Sequence, residues 1–346
     1  MLAYISRRLL LVIPTLFGII ALNFFIIQLS PGGPVEYITS KLEMSAHAES
    51  SAGIKSSDYK ASRGLPDDLI EELKRQYGFD KGIFERFFIL LKSYVVFDLG
   101  ESYYRKIGVW DLVLEKLPVS ISLGLFSTLL IYLISIPLGI YKARKSGSFL
   151  DSASSLVIVV CNAVPAFLFG IAFIVLFAST WHIFPLRGLT SDDFDSLSLF
   201  GKMLDYLWHI TLPVLCLSLG GFAWLTLLSK NSFLEEMHKL YVLCAYAKGA
   251  SENRVLYKHI FRNAMLLVIA SFPSAFLGIF ISGSLMIEII FSLDGLGLLG
   301  YESILARDYP VVFGTLYIFT LLSLLVGIIS DIIYTIVDPR IHFDAQ

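Results

Sequence analysis

One segment matches the dinucleotide-binding fingerprint letter for letter: Gly295-Leu-Gly297-Leu-Leu-Gly300. In that chemistry the glycines let a strand-to-helix turn close on a pyrophosphate, and an acidic residue about 20 positions later holds a ribose. Here the motif follows a long apolar run and lies in a short loop, and Asp308 comes only eight residues after Gly300. The segment therefore reads as a turn. Ser57-Asp-Tyr-Lys60 has the bare Ser-x-x-Lys spacing, but its companion motifs are missing. No Gly-x4-Gly-Lys-Ser/Thr, His-Glu-x-x-His or Gly-x-Ser-x-Gly occurs. Cys161, Cys216 and Cys244 match no metal spacing and read as small apolar residues.

The elements that would have to position any such chemistry are apolar and long. Apolar residues make up 56 % of the 346, charged residues only 16 %, and mean hydropathy is +0.73. An average soluble domain carries about 25 % charged residues, so the solvent of this chain is largely lipid. A net charge of −2 leaves no basic footprint for nucleic acid. Six stretches reach the roughly 20 apolar residues of a bilayer crossing: 9–29, 119–140, 153–180, 208–228, 264–291 and 311–336. The first is too long for the apolar region of a secretory signal and is followed by Pro31-Gly-Gly-Pro34, so it reads as a retained helix. The expected class is an all-α integral membrane protein with six transmembrane helices. Its parts are an N-terminal segment and first helix (1–29), a large outer loop (30–118) and a core (119–346).

All 27 Lys and Arg residues lie outside these stretches. Loops 1–8, 141–152, 229–263 and 337–346 carry 12 of them in 65 residues, whereas 181–207 and 292–310 carry three in 46. The long loop 30–118 is exempt from the positive-inside count. Both termini are thus expected in the cytoplasm. All six histidines fall in loops or at a span end, which disfavours an intramembrane hydrolase. Glu288 and Asp331 are the carboxylates within spans; both sit near span ends, where interfacial water reduces their cost. So little buried charge also disfavours an ion-driven carrier.

In the outer loop, residues 37–63 lack apolar periodicity, Leu69–Tyr77 has helical spacing with Gly78 as its stop, and Phe84–Tyr94 predicts a second helix. The loop is either a docking surface or a cap. In the inner loop 229–263, Ser232 with Glu235 has the spacing of a capping box. A helix is expected from there through Lys248, stopping at Gly249, and Ser251 is placed to cap another. Small residues at Ala245, Ala247, Gly249 and Ala250 would admit a close partner; alternatively the pair lies on anionic headgroups. In the fifth stretch, Ser271, Ser274, Gly278 and Ser282 recur at spacings of 3, 4 and 4 and share a face. With Asn162 and Thr315 they offer a polar path, or else a seam for close helix packing.

Ala245-Tyr-Ala-Lys-Gly249, then nine residues, then His259-Ile-Phe-Arg-Asn-Ala264 resembles the EAA loop of binding-protein-dependent ABC importer permeases, in the wording of the peptide/nickel subfamily. Arg7-Arg8-Leu-Leu10, Leu29-Ser-Pro-Gly-Gly-Pro34, Tyr77-Gly-Phe-Asp80, Arg307-Asp-Tyr-Pro310 and Val337-Asp-Pro-Arg-Ile341 extend the likeness along the chain. The resemblance implies a type I importer permease fold in a bacterial inner membrane, half of a translocation path for peptides and peptide-like compounds. It implies three partners: a second homologous permease, a cytoplasmic ABC ATPase that binds ATP and Mg, and a periplasmic peptide-binding protein. This chain would hold no cofactor itself. Ala245 and Gly249 would then be close-contact positions against the ATPase and Lys248 a flanking polar contact. The family usually has Arg where Tyr246 stands and Glu where Leu243 stands, which leaves the polar anchors on the ATPase open.

Overall fold

The computed structural model describes residues 2–29, 81–278 and 285–337. Residues 37–63, the helix expected over Leu69–Tyr77, and Ser282 lie outside the described residues. The described chain is helical, with a single isolated bridge, Glu101 to Gly108, as its β structure. In chain order the helices are α1 (Leu2–Leu29), α2 (Ile83–Val95), α3 (Val109–Arg144), α4 (Phe149–Ala163), α5 (Ala166–Phe173) and α6 (Leu199–Met237). There follow α7 (Leu240–Ala247), α8 (Glu252–Val255), α9 (Phe261–Ala270), α10 (Phe272–Gly278), α11 (Leu285–Phe291), α12 (Leu296–Ala306) and α13 (Tyr309–Val337).

Among the described residues, four helical segments are long and apolar enough to cross a membrane: Val109–Arg144, Leu199–Met237, Glu252–Gly278 and Tyr309–Ile333. Two bent pairs bring that number to at most six, if each is counted as one span. One is the third expected stretch, which does not run straight. Its halves, α4 and Ala166–Thr180, meet at 94°. The cause is Pro165, which lacks a backbone N–H and forces Val164 out of the helical region, to φ −90° and ψ 126°. The other pair, α11 and α12, meets at 95°. The segment 292–310, expected as a loop, thus contains an 11-residue helix. In the fifth stretch a single turn residue, Ser271, separates α9 from α10, where Pro273 removes one helical bond, and Glu252–Gly278 remains one helical run.

The chain forms two compact units. The first comprises Met1–Arg8, Lys116–Leu299 and Leu322–Gln346. Its inner core gathers Ile131, Ile140, Leu225, Phe233, Val242, Val255, Ile260 and Val268, and a second cluster holds Leu123, Ile210, Leu212, Cys216, Ile287, Phe291 and Leu293. Helices α3 and α6 touch backbone to backbone at Gly139. A Cβ there would lie 2.5 Å from Ser229 Cβ and 3.0 Å from the Thr226 carbonyl oxygen. Arg8 pairs with Asp331, a half-buried carboxylate.

The second unit comprises Leu9–Glu115 and Gly300–Leu321. Phe87 of α2 packs its ring against Phe24 at 5.4 Å, and Phe24 stacks on Phe313 at 6.2 Å. The sequence placed α2 within one residue at each end. Asp308, buried just before α13, accepts from the Ser102 hydroxyl at 2.5 Å and from the Tyr103 N–H at 3.1 Å, closing the loop 98–108. Burial pushes the Asp308 carboxyl above the usual carboxylate range, and those hydrogen bonds only partly oppose it.

Candidate functional site

The inner segment between α6 and α9 is the site the sequence singles out, and its start differs from expectation. Ser232 does not open a helix. Apolar side chains through Phe233 carry α6 on to Met237, and the Ser232 hydroxyl donates to the Ala264 carbonyl at 2.7 Å instead. A capping box needs a chain that enters the helix at the Ser, and here the preceding residues are already helical. α7 then begins after Lys239, whose side chain makes no cap. The helix ends as predicted. Lys248 is its C-cap, Gly249 takes φ +80°, and the N–H of Ala250 returns to the Ala245 carbonyl at 3.2 Å. Only a residue without Cβ adopts that left-handed conformation freely. Ser251 stands at the N-cap of α8 without a side-chain capping bond.

One side of α7 is anchored and the other is bare. Val242 is buried in the inner core. Tyr241 donates its hydroxyl to Glu236 at 2.5 Å and accepts from Asn263 at 3.2 Å, tying α7 to the end of α6 and the start of α9. Lys239 pairs with Glu236, which holds the ammonium pKa above its ordinary value. Burial, and next the bond to Glu236, push the Tyr241 hydroxyl up as well. Leu240 is 78 % exposed and Leu243 59 %, and Tyr246, Ala247, Lys248 and Gly249 are exposed with them, while Ala245 is half-buried. Two large leucines facing outward beside a glycine turn form a compact apolar patch with a close-approach point.

The ends of the neighbouring helices are joined by a charge cluster that sequence reasoning missed. Lys142 is fully buried near the end of α3. Its ammonium donates to the Asp151 carbonyl at 2.7 Å, to Ser154 at 2.8 Å and to Ser155 at 2.7 Å, and lies 3.0 Å from an Asp151 carboxylate oxygen. Lys230 of α6 donates to both carboxylate oxygens of Asp151, at 2.9 and 2.7 Å. Gly147 N–H adds a bond to the same carboxylate at 3.0 Å. Arg144 reaches Glu252 in α8 at 2.8 Å. Every group of this cluster that faces the interior is satisfied, which makes a buried ion cluster tolerable. The signal available beforehand was a Lys and an Asp nine apart in a basic loop, common enough to pass unnoticed.

Ser271 is half-buried and bonded to Tyr132 at 2.8 Å and to the Val268 carbonyl at 2.7 Å. Ser274 and Gly278 are exposed in α10, one and two turns beyond Ser271. Asn162 is exposed at the end of α4, just before the Pro165 bend. Thr315 is buried in the second unit and donates to Val311 and Val312 of its own helix, at 2.8 and 3.0 Å.

Glu288 departs from expectation. It is fully buried, not softened by interfacial water. One carboxylate oxygen accepts from the Leu298 N–H at 2.7 Å, in the first turn of α12. Gly295 and Gly297 press against it; a Cβ on Gly295 would lie 2.5 Å from the carboxylate. The fingerprint's glycines thus do let a helix N-terminus approach an anion, but the anion is the chain's own carboxylate. A helix, not a strand, precedes the turn.

The long membrane-capable helices define an all-α membrane protein, and sequence comparison assigns its kind. Residues 135–343 match the profile of the binding-protein-dependent transport system inner membrane component. The chain belongs to this family and is the inner-membrane permease component of a binding-protein-dependent ABC importer. It is 55 % identical to the inner membrane ABC transporter permease protein YejB of Escherichia coli O157:H7, over 99 % of this chain and 100 % of that one. It is 52 % identical to the peptidoglycan transport system permease protein YejB of Agrobacterium fabrum, with 99 % of each covered. The oligopeptide transport system permease protein AppB of Bacillus subtilis is 34 % identical, over 99 % and 100 %. The inward-facing MetNI methionine ABC transporter has a similar fold, with a TM-score of 0.50 at 16 % identity, over 65 % of this chain and 96 % of that one.

Proposed function

We infer that this permease imports peptides and peptide-like compounds, and that α7 and the Gly249 turn seat it on a cytoplasmic ATPase. The observation that carries the cargo is that full-length relatives in several organisms are named for oligopeptide, dipeptide or peptidoglycan transport. The exposed patch of Leu240, Leu243, Tyr246, Lys248 and Gly249 supports the docking role, because bare leucines on a basic inner segment need a cover. ATP and Mg would be bound by that ATPase, a second homologous permease would complete the path, and a periplasmic binding protein would deliver peptide. Nucleotide-driven closure of the ATPases would push on α7, and α3, α6 and α9 would swing between inward- and outward-facing arrangements.

The test is uptake of a labelled peptide into proteoliposomes holding the complete complex. Uptake that requires ATP and the ATPase subunit is expected. Uptake by this chain alone on an ion gradient overturns the reading, as does an ATP-driven complex that moves no peptide.

A further inference from the structure

Two contacts one helical turn apart hold the turn between α11 and α12 on one face of α3. Lys116, whose side chain is 9 % exposed, pairs with Asp294. Ser120 accepts from the Leu296 N–H at 2.9 Å, and its hydroxyl stands 3.5 Å from the Glu288 carboxylate, to which it donates. Glu288 takes up the Leu298 N–H as well, so the first N–H groups of α12 are met by α3 and by one buried anion. The turn itself is held under constraint. Ser292 has φ +53°, a left-handed conformation that a serine keeps only when its surroundings impose it. Gly295 and Gly297 leave no room between backbone and carboxylate. The two contacts also bracket Pro118, one of two prolines inside α3, where a helical N–H is missing.

The same α3 is gripped at its other end. Lys142 is locked into the Asp151 cluster, and Arg144 holds Glu252, the first residue of α8, three positions after Gly249. A fully buried carboxylate with its neighbours fitted to it is costly to maintain for packing alone.

We propose that Glu288 is a positioning residue for translocation: it binds the 292–298 turn to the outer end of α3, so that a displacement of α3 by the inner segment moves the turn with it. The 292–298 segment and the outer part of α3 then travel as one piece through the cycle. The proposal rests on the importer reading above.

The measurement is peptide imported per ATP hydrolysed, by the complete complex in proteoliposomes, with the amount of assembled complex recorded alongside. Glu288→Ala lowers that ratio roughly tenfold, the scale of a lost hydrogen bond to a charged group. Gly295→Ala alone is as damaging, because its Cβ collides with the carboxylate. In the Glu288→Ala background the same change adds little, since the obstacle is gone. A wild-type ratio in an assembled Glu288→Ala complex, or equal costs of Gly295→Ala in both backgrounds, overturns the proposal. A second measurement covers variants that do not assemble. In a chain with Cys161, Cys216 and Cys244 replaced, Lys116→Cys with Asp294→Cys lowers the ratio, and bridging the pair with a short thiol-reactive linker restores it. Transport stopped by the bridge overturns the proposal, because the two parts must then separate. Absent uptake by the wild-type complex would instead count against the importer reading.

Discussion

Lys230 places its ammonium 2.7 Å from one oxygen of the Asp151 carboxylate and 2.9 Å from the other, so that α6 is tied to α4 through a residue α3 also grips. Asp151 is therefore the shared partner of two lysines, one of them fully buried. Asp151→Ala leaves Lys142 in the interior without its counter-charge. Removing one partner of a buried ion pair costs about 3–5 kcal/mol. Thermal unfolding of the purified protein in detergent should show that loss. Asp151→Asn, which keeps the shape and loses the charge, should fall between Ala and wild type.

Gly249 ends α7 at φ +80°. Any side chain there meets left-handed strain of about 1–2 kcal/mol. Gly249→Asp adds a negative charge to the exposed face and should abolish peptide uptake while leaving membrane insertion intact. Insertion is read from protease accessibility of the loops and uptake from the proteoliposome assay. Normal uptake would show that the turn has no part in docking.

Leu243 is 59 % exposed, so Leu243→Asp should change unfolding stability by no more than about 0.5 kcal/mol. Its effect belongs to the partner. If the leucine is a principal contact, the affinity for the ATPase subunit should fall by roughly 30-fold, the scale of an interface hot spot. A titration of labelled ATPase against the detergent-solubilised permease measures this. Unchanged affinity would remove Leu243 from the interface.

Asp308 carries a carboxyl pKa raised by burial. A group raised on folding contributes stability that is fully present below its unfolded value, about 3.9, and is lost as pH rises through the folded value. The second unit should therefore lose stability as pH climbs from about 4. In Asp308→Asn the slope should flatten, because no proton is exchanged. Hydrogen exchange at the amides of residues 102–108, followed across that range, reads it directly.

The membrane class, both ends of α2 and the C-terminal end of α7 were legible in the residues, because local periodicity and a glycine stop determine them. The Ser232 capping box failed because it is a local pattern. Whether a helix begins at Ser232 depends on whether the preceding residues are already helical, and α6 arrives from the membrane without a break.

By itself, the sequence determined the membrane class, the long apolar helices and the glycine stop of α7. Apolar run length, loop charge and a residue's own φ preference act over a few residues, so a linear reading captures them. The Lys142–Asp151–Lys230 cluster and the seating of Glu288 against Gly295 were decided only in three dimensions. Lys230 lies 79 residues from Asp151, and Ser120 lies 168 from Glu288. Which buried charge finds which partner depends on helices meeting across the bundle. The Gly295–Gly300 motif shows the difference most plainly. Its letters read only as a turn, and the packing of α11 against the start of α12 shows Gly295 and Gly297 closing on the Glu288 carboxylate.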